Sequence, residues 1–487
     1  MRPVTSDRPS RIIAFIRPVA FLGRNVLTIL GVALTTGAGL TIVGFWGLEI
    51  LQLRPVQPYA GIVLFFGLPA VFVAGLVLMP LGVLIRRRSL RARGELPSVY
   101  PEVDLKYPDV RRALALVAVA TLANVVLLST AAYQSTVYMD STQFCGLTCH
   151  TVMAPEYTAY LVSPHSRVAC TECHIGPGAS WFVRSKLSGV RQLFAVAFRT
   201  CPRPIPVPVR HLRPARETCE RCHWPQMSHG DKLVVLTSHA DDAANTPSTT
   251  VLSLKVGGHR WDGANGIHGR HLGTGVEISY VALDEQRQVI PLVTHRGPDG
   301  RTVEYRSTDA KLTAEKLAHG ERRTMDCMDC HNRPTHTFEL PERAVDDAIQ
   351  DGSVSSTLPF VRKESVTLLR QAYPDQQTAA KRIRDGLDAF YRQQYPDVYK
   401  KDRGLVERAA GRLTTIYGRN VFPAMKVTWG TYANNLGHTD SPGCFRCHDG
   451  SHKSSDGGTI TQDCTACHNV LAMDEKNPKV LADLGLK

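Results

Sequence analysis

Six short stretches of this chain place two cysteines three or four positions apart, with a histidine directly after the second. They are Cys145/Cys149-His150, Cys170/Cys173-His174, Cys219/Cys222-His223, Cys327/Cys330-His331, Cys444/Cys447-His448 and Cys464/Cys467-His468. Two thiols on one helical turn can reach the two vinyl groups of a haem as thioethers, and the next residue turns its imidazole to the iron. Zinc ribbons also use paired cysteines, but they have no need of a histidine after every pair. With histidine only 18 of 487 residues, six such placements do not arise by chance. Zinc sites and disulfide pairing of the same cysteines are therefore excluded. Five motifs are regular. The first, FCGLTCHTVM, has one residue too many and is read as a haem site from its place in the series. Six covalently bound haem c groups are expected, or five if the Cys145/Cys149 site is empty.

A low-spin electron-transfer haem needs a second axial ligand, usually His or Met. Twelve histidines remain outside the motifs. Met153 follows His150 by three positions, and His165, His229, His336, His438 and His452 each stand close to a motif. His268 and His271 lie in the glycine-rich stretch GIHGRH. All eight are axial candidates, and the sequence leaves open which serves which haem. His211, His239, His259, His295 and His319 read as ordinary surface or hydrogen-bonding histidines. Cys201, the thirteenth cysteine, reads as an inert thiol in the proline-rich loop RTCPRPIPVPV.

The elements that carry these motifs divide along the chain. Residues 25–50, 59–85 and 113–133 are apolar runs long enough to cross a hydrocarbon core of about 30 Å as helices. The first run is too long for a signal-peptide core and has no small-residue cleavage site behind it. The net charge of +13 is concentrated beside these runs: residues 1–24 and 86–112 each carry an excess of +4. Positive charge flanking spans marks cytoplasmic loops, so nucleic-acid binding is excluded as the meaning of the charge. The N-terminus then lies inside, and residues 134–487, with all the cysteines, lie on the periplasmic side of a bacterial inner membrane.

The expected fold is a membrane-anchored multihaem cytochrome c. Three N-terminal transmembrane helices precede a periplasmic, mostly α and irregular haem domain with a small β-rich insertion. Residues 1–110 hold two spans with their basic segments, and 111–134 the third. Residues 135–230 hold haems 1 to 3. Residues 231–320 form the β-rich insertion, because KLVVLTSH, VLSLKVGG, VEISYVALD, QVIPLVTH and TVEYRS alternate as strands between turn residues. Residues 321–487 are helical and carry haems 4 to 6, with 3.6-residue periodicity in FVRKESVTLLRQ, TAAKRIRDGLDAFYRQ and GLVERAAGRLTTIYG.

The order of a span, about ten residues, an irregular Cys…Cys-His with methionine close behind, a histidine and then Cys-x-x-Cys-His resembles the NapC/NirT family of membrane-anchored quinol dehydrogenase cytochromes. The likeness covers roughly residues 110–230. The three spans, the β-rich insertion and the CHNRPTH and CFRCHDGSH motifs look like its larger, ImcH-type inner-membrane members. The resemblance implies that the first haem lies at the membrane surface, that a nearby methionine can ligate its iron and that menaquinol is oxidised beside it. Cys145, Cys149, His150 and Met153 match that first haem. The family pattern has two residues between the cysteines and methionine two places after histidine. Here both spacings are three, which leaves His150 and Met153 as alternative ligands. His165 matches the histidine between the first two haems, and Lys186 matches a lysine of the quinol pocket. The family's acidic partner is missing from residues 187–200, and Glu156 or Glu172 could replace it.

The resemblance thus implies a quinol dehydrogenase of anaerobic respiration. Menaquinol would be oxidised with the help of Lys186 and Glu156, and electrons would leave to periplasmic c-type cytochromes or a terminal reductase. The alternative is a haem relay or anchor subunit of a larger respiratory complex without its own quinol site. A terminal reductase would need a haem with an open position, and the surplus of histidines argues against one.

Overall fold

The computed structural model describes residues 11–50, 67–100, 106–148, 150–176, 179–209, 212–224, 230–258, 266–309 and 313–486. The chain divides into two compact units, Met1–Thr148 and Cys149–Lys487.

The first unit is helical: α1 (Arg11–Leu22), α2 (Val26–Ile50), α3 (Leu68–Ala92) and α4 (Pro108–Met139). Asn25 starts α2, accepting at Oδ1 from the Thr28 amide at 3.0 Å and donating to the Leu22 carbonyl at 2.9 Å. Among the described residues, three stretches are long and apolar enough to cross a membrane: Val26–Gly44, Leu68–Ala92 and Ala118–Met139. The part of the second expected span before residue 67 lies outside the described residues, and α3 continues through the arginines after residue 85. Helices α2 and α3 meet through small residues, as helices do in a membrane. A Cβ added to Gly31 would come within 2.7 Å of the Gly75 carbonyl, so neither backbone could keep its approach with a side chain there. Thr28 Oγ1 donates across the same seam to the Met79 carbonyl at 3.2 Å.

Helix α4 differs from expectation in length. It has 32 residues, about 48 Å at 1.5 Å per residue, and ends at Met139 rather than near Tyr133. The stretch QSTVYM is polar but contains neither Gly nor Pro, so nothing breaks the helix when the apolar run ends. Cys145 therefore follows the helix by only six positions.

The second unit holds two antiparallel sheets and a helical bundle. The strands expected at 232–307 form as β1 (Lys232–His239), β2 (Pro247–Leu254), β3 (Glu277–Ala282), β4 (Leu292–Arg296) and β5 (Thr302–Ser307). They are joined by β6 (Glu321–Thr324), which follows the short helix α10 (Ala314–His319). Each sheet is completed from the far end of the chain. Strand β7 (His452–Ser454) pairs with β5 in the order β6-β3-β4-β5-β7, and β8 (His468–Glu475) pairs with β2 in the order β1-β2-β8. These two strands are short or almost wholly exposed, so they lack the alternation by which sequence reveals a strand. The bundle consists of α12 (Pro341–Gln350), α13 (Val361–Arg370), α14 (Gln376–Gln394) and α15 (Pro396–Asn420). Val345, Leu369, Ile383, Leu387, Tyr391 and Leu413 fill its core. Buried Asp346 ties bundle to sheet, accepting from the His239 amide at 3.0 Å and from Arg362 Nε at 3.3 Å.

Candidate functional site

Four of the five regular cysteine motifs are single helical turns. Cys170–His174 (α6), Cys327–Cys330 (α11) and Cys464–Cys467 (α16) are short α-helices, and Gly443–Arg446 is a 3-10 turn closed by Cys447. The His223, His331, His448 and His468 amides donate to the carbonyl of the first cysteine four residues back. This turn brings both thiols to one side and fixes the histidine backbone at its end. Aspartates cap two of the turns: Asp463 accepts from the Thr465 amide, and Asp326 and Asp329 form a reciprocal capping box around Cys327.

The third motif makes the same turn just past a helix end. Cys219 ends α8 (Ala215–Cys219), so Cys222 lies beyond the helix, exposed, in a tight turn whose Cys222 amide donates to the Cys219 carbonyl at 3.1 Å. The two thiols also meet different neighbours. Cys219 stands by Cys327 of the fourth motif, whereas Cys222 stands by Cys173 of the second. Burial above all, then the nearby Glu172, Cys170 and Cys222, push the Cys173 thiol up.

The first motif is built differently again. Phe144–Thr148 is a π-helical turn, in which Cys145 donates its amide to the Ser141 carbonyl at 3.2 Å. A π turn takes one residue more than an α turn, which is a local means of absorbing the inserted residue. Cys149 lies outside the described residues. His150 opens α5 (His150–Leu161), and Met153 stands three positions on in the same helix.

Five motif histidines each face a second ring from a distant segment. The centroid separations are 6.0 Å for His223 and His165, 6.3 Å for His174 and His336, and 6.3 Å for His331 and His268. They are 5.9 Å for His448 and His271 and 6.2 Å for His468 and His438. Two imidazoles sharing one metal through bonds of about 2.0 Å have centroids about 6 Å apart, so the spacing fits a metal between each pair. Among the described residues, no three or more His, Cys, Asp or Glu side chains gather to hold an ion by themselves. Pairs of axial ligands without an equatorial set suit a metal that brings its own ring, as haem does.

Second contacts set the orientation of these rings. Nδ1 of His336 donates to the Glu156 carbonyl at 2.9 Å, Nδ1 of His271 to Ile267 at 2.8 Å, Nδ1 of His448 to Thr461 at 2.7 Å and Nδ1 of His165 to Pro334 at 3.3 Å. Bonds of this kind leave Nε2 as the ligating atom. Burial pushes the His174, His336, His271 and His331 rings below the ordinary histidine pKa, towards the neutral form that binds a metal.

Two further expectations are corrected. Both ring nitrogens of His452 are engaged: Nδ1 with Asp449 at 2.8 Å and Nε2 with the Ile290 carbonyl at 2.8 Å, inside a fully buried site. No nitrogen is left for iron, and proximity to a motif misled because β7 turns this ring into the sheet. Glu156, expected to handle protons at a quinol pocket, is buried on α5 with both carboxylate oxygens on Arg333 Nη2, at 3.2 and 3.0 Å. Its backbone carbonyl accepts from the His336 ring. His229 lies outside the described residues. Glu172 pairs with Arg221 at 3.2 Å, and Lys186 sits half-buried on α7 (Ala179–Ala197).

Sequence reasoning missed the residues that lock the motifs together. Arg446, inside the fifth motif, donates to the Asp329 carbonyl of the fourth at 2.6 Å and to the Arg287 carbonyl at 2.9 Å. Asp329 in turn accepts from Tyr280 and from Arg323 Nε at 2.9 Å. The one available signal was a charged residue inside CMDCH and CFRCH, where the attachment chemistry asks for none.

Facing imidazoles beside closely turned thiol pairs, in a chain with three helices of membrane-crossing length, define a multihaem c-type cytochrome anchored in a membrane. The model of the NapC/NirT cytochrome c family, N-terminal region, matches residues 108–204, which run from α4 past Lys186. Over 456 residues the chain is 40% identical to the cytochrome c-type protein ImcH of Geobacter sulfurreducens, covering 93% of this chain and 89% of that protein. The chain belongs to the NapC/NirT cytochrome c family. No solved structure matches it.

Proposed function

We propose that this chain is an inner-membrane quinol dehydrogenase that oxidises menaquinol at the periplasmic surface and delivers the electrons to a periplasmic c-type cytochrome or terminal reductase. The observation that carries the reading is the set of five facing imidazole pairs, each joining a motif histidine to a second histidine. Six haem c groups would be held by Cys145/Cys149, Cys170/Cys173, Cys219/Cys222, Cys327/Cys330, Cys444/Cys447 and Cys464/Cys467. The iron ligands would be His174 with His336, His223 with His165, His331 with His268, His448 with His271 and His468 with His438, leaving His150 or Met153 for the first. When bound, haem c supplies one-electron redox chemistry whose potential its axial ligands set, Met giving a higher potential than a second His.

The residues of the chain do the rest. The basic flanks of the spans hold the N-terminus in the cytoplasm and send residues 134–487 to the periplasm. Menaquinol gives up two electrons and two protons, and the protons leave on the periplasmic side. Lys186 donates a hydrogen bond to a quinol oxygen and so stabilises the negative charge that develops as its proton departs. One observation favours the relay reading: the Glu156 carboxylate is paired with Arg333.

Purified protein in nanodiscs, mixed with menaquinol, decides between the two readings. The expected result is reduction of the haem absorbance, slowed at least about tenfold by Lys186→Ala and altered by Met153→Ala. Haems that stay oxidised with menaquinol yet reduce fully with dithionite would sink the quinol-oxidising reading and leave the relay.

A further inference from the structure

Helix α7 does more than carry Lys186. Its Val183, Leu187, Val190 and Phe194 are 54%, 69%, 53% and 61% exposed. At i, i+4, i+7 and i+11 they line one side of the helix. Phe198, 72% exposed, continues the stripe just beyond the helix end, its ring stacked on Phe194 at 6.2 Å. At about 100° per residue, Arg184 and Arg191 border one edge of this stripe and Lys186 the other. Ser188 and Gln192 occupy the opposite side, where Gln192 donates to Ser188 Oγ at 3.2 Å. The helix contains no Asp or Glu.

A continuous exposed stripe of this kind marks a surface that something covers. The charge selects the occupant. Both edges are basic and nothing on the helix offsets them, which complements an anionic lipid surface. A moderately apolar helix with a strong stripe and basic edges is the form that lies in a bilayer interface. We propose that α7 rests in the membrane interface, parallel to the bilayer, with the Val183–Phe198 stripe among the acyl chains and Arg184 and Arg191 at the phosphates. The chain then meets the membrane twice, through its spans and through this helix. The proposal needs only the membrane anchor and stands whether or not quinol is the substrate.

The test uses full-length, haem-loaded protein carrying Cys201→Ser, so that no native thiol outside the motifs remains. Single cysteines at Leu187→Cys and Phe194→Cys report the stripe, and Ser188→Cys and Gln192→Cys report the opposite side. In nanodiscs of phosphatidylethanolamine and phosphatidylglycerol, a charged, membrane-impermeant maleimide should label the stripe positions at least about tenfold more slowly than the others. Protection should weaken severalfold in nanodiscs of phosphatidylcholine alone. A benzoylphenylalanine photo-crosslinker at position 187 should yield lipid adducts by mass spectrometry. Equal labelling of both sides overturns the proposal. So does protection indifferent to lipid charge, or protection with photoadducts on polypeptide or haem in place of lipid.

Discussion

Removing Arg333 tests the support given to the His336 ring. Its side chain is 6% exposed and that of Glu156 11%, and Nη2 lies within hydrogen-bond distance of both carboxylate oxygens. The guanidinium also lies 4.3 Å from the Tyr432 ring centroid and 5.1 Å from that of Phe338, while Nε donates to the His336 carbonyl. Arg333→Ala leaves a buried carboxylate without its partner, a loss of about 3–5 kcal/mol. Glu156→Gln leaves a buried guanidinium with a weaker acceptor and acts in the same direction. At about 1.4 kcal/mol per factor of ten, local opening of α5 becomes roughly two to more than three orders of magnitude easier. Amide hydrogen exchange of residues 152–160, followed by mass spectrometry on haem-loaded protein, should accelerate by that factor in either single variant. In Arg333→Met combined with Glu156→Gln no charge is left buried alone, so much of the loss returns, with a coupling of about 0.5–3 kcal/mol. Exchange within about threefold of wild type, or single effects that simply add, would refute the argument. Loss of quinol oxidation in Glu156→Gln with exchange unchanged would restore Glu156 to a proton-handling role.

The remaining predictions concern the ligands and the bundle. His336→Ala should convert one low-spin ferric haem to high spin in the electron paramagnetic resonance spectrum, and His438→Ala should convert a different one. His452→Ala should leave the low-spin count unchanged while lowering stability by about 1–3 kcal/mol, because Asp449 and the Ile290 carbonyl lose their partner. The intact mass should correspond to six haems and should fall by one haem in Cys145→Ala; five in the wild type would remove the first site. Leu387→Ala, at a fully buried position of α14, should cost about 2–5 kcal/mol in urea unfolding followed by circular dichroism. Arg384→Ala, exposed on the same helix, should stay within about 0.5 kcal/mol.

What sequence could reveal follows the range of the interactions. Spans, strands and helices rest on apolar periodicity over a dozen residues, so 25–50, 232–239 and 376–394 were legible. The cysteine motifs rest on contacts between neighbours, so their chemistry was legible as well. The placement of Cys222 outside its helix was not, because the spacing is the same whether the turn is helical or follows a helix end. Strands β7 and β8 also escaped, because their hydrogen bonds go to β5 and β2, more than a hundred residues away, while β7 is only three residues long and most β8 side chains face solvent. The same limit governs the second ligands. His165, His268, His271, His336 and His438 could be proposed from their positions near a motif or in a glycine-rich loop. Their partners could not, because each ring faces a histidine other than that of its nearest motif where one is close by: His336 follows His331 by five residues yet faces His174.

That crossing has a physical consequence for the molecule. His165 precedes the second motif but faces the third, and His336 follows the fourth but faces the second. His268 and His271, one helical turn apart on α9 (Ile267–Leu272), face the fourth and fifth motifs respectively. In the proposed ligation each such pair fastens two distant segments across one site, so the ligands would do structural as well as electronic work. Apolar packing acts beside them: Val152, Ala154, Ile205 and Val207 lie against Phe422, Met425, Val427 and Tyr432 just beyond the bundle. Loss of any one distal histidine should therefore loosen two segments and leave a haem high-spin at once, whereas loss of His452 should loosen the sheet and leave every haem low-spin.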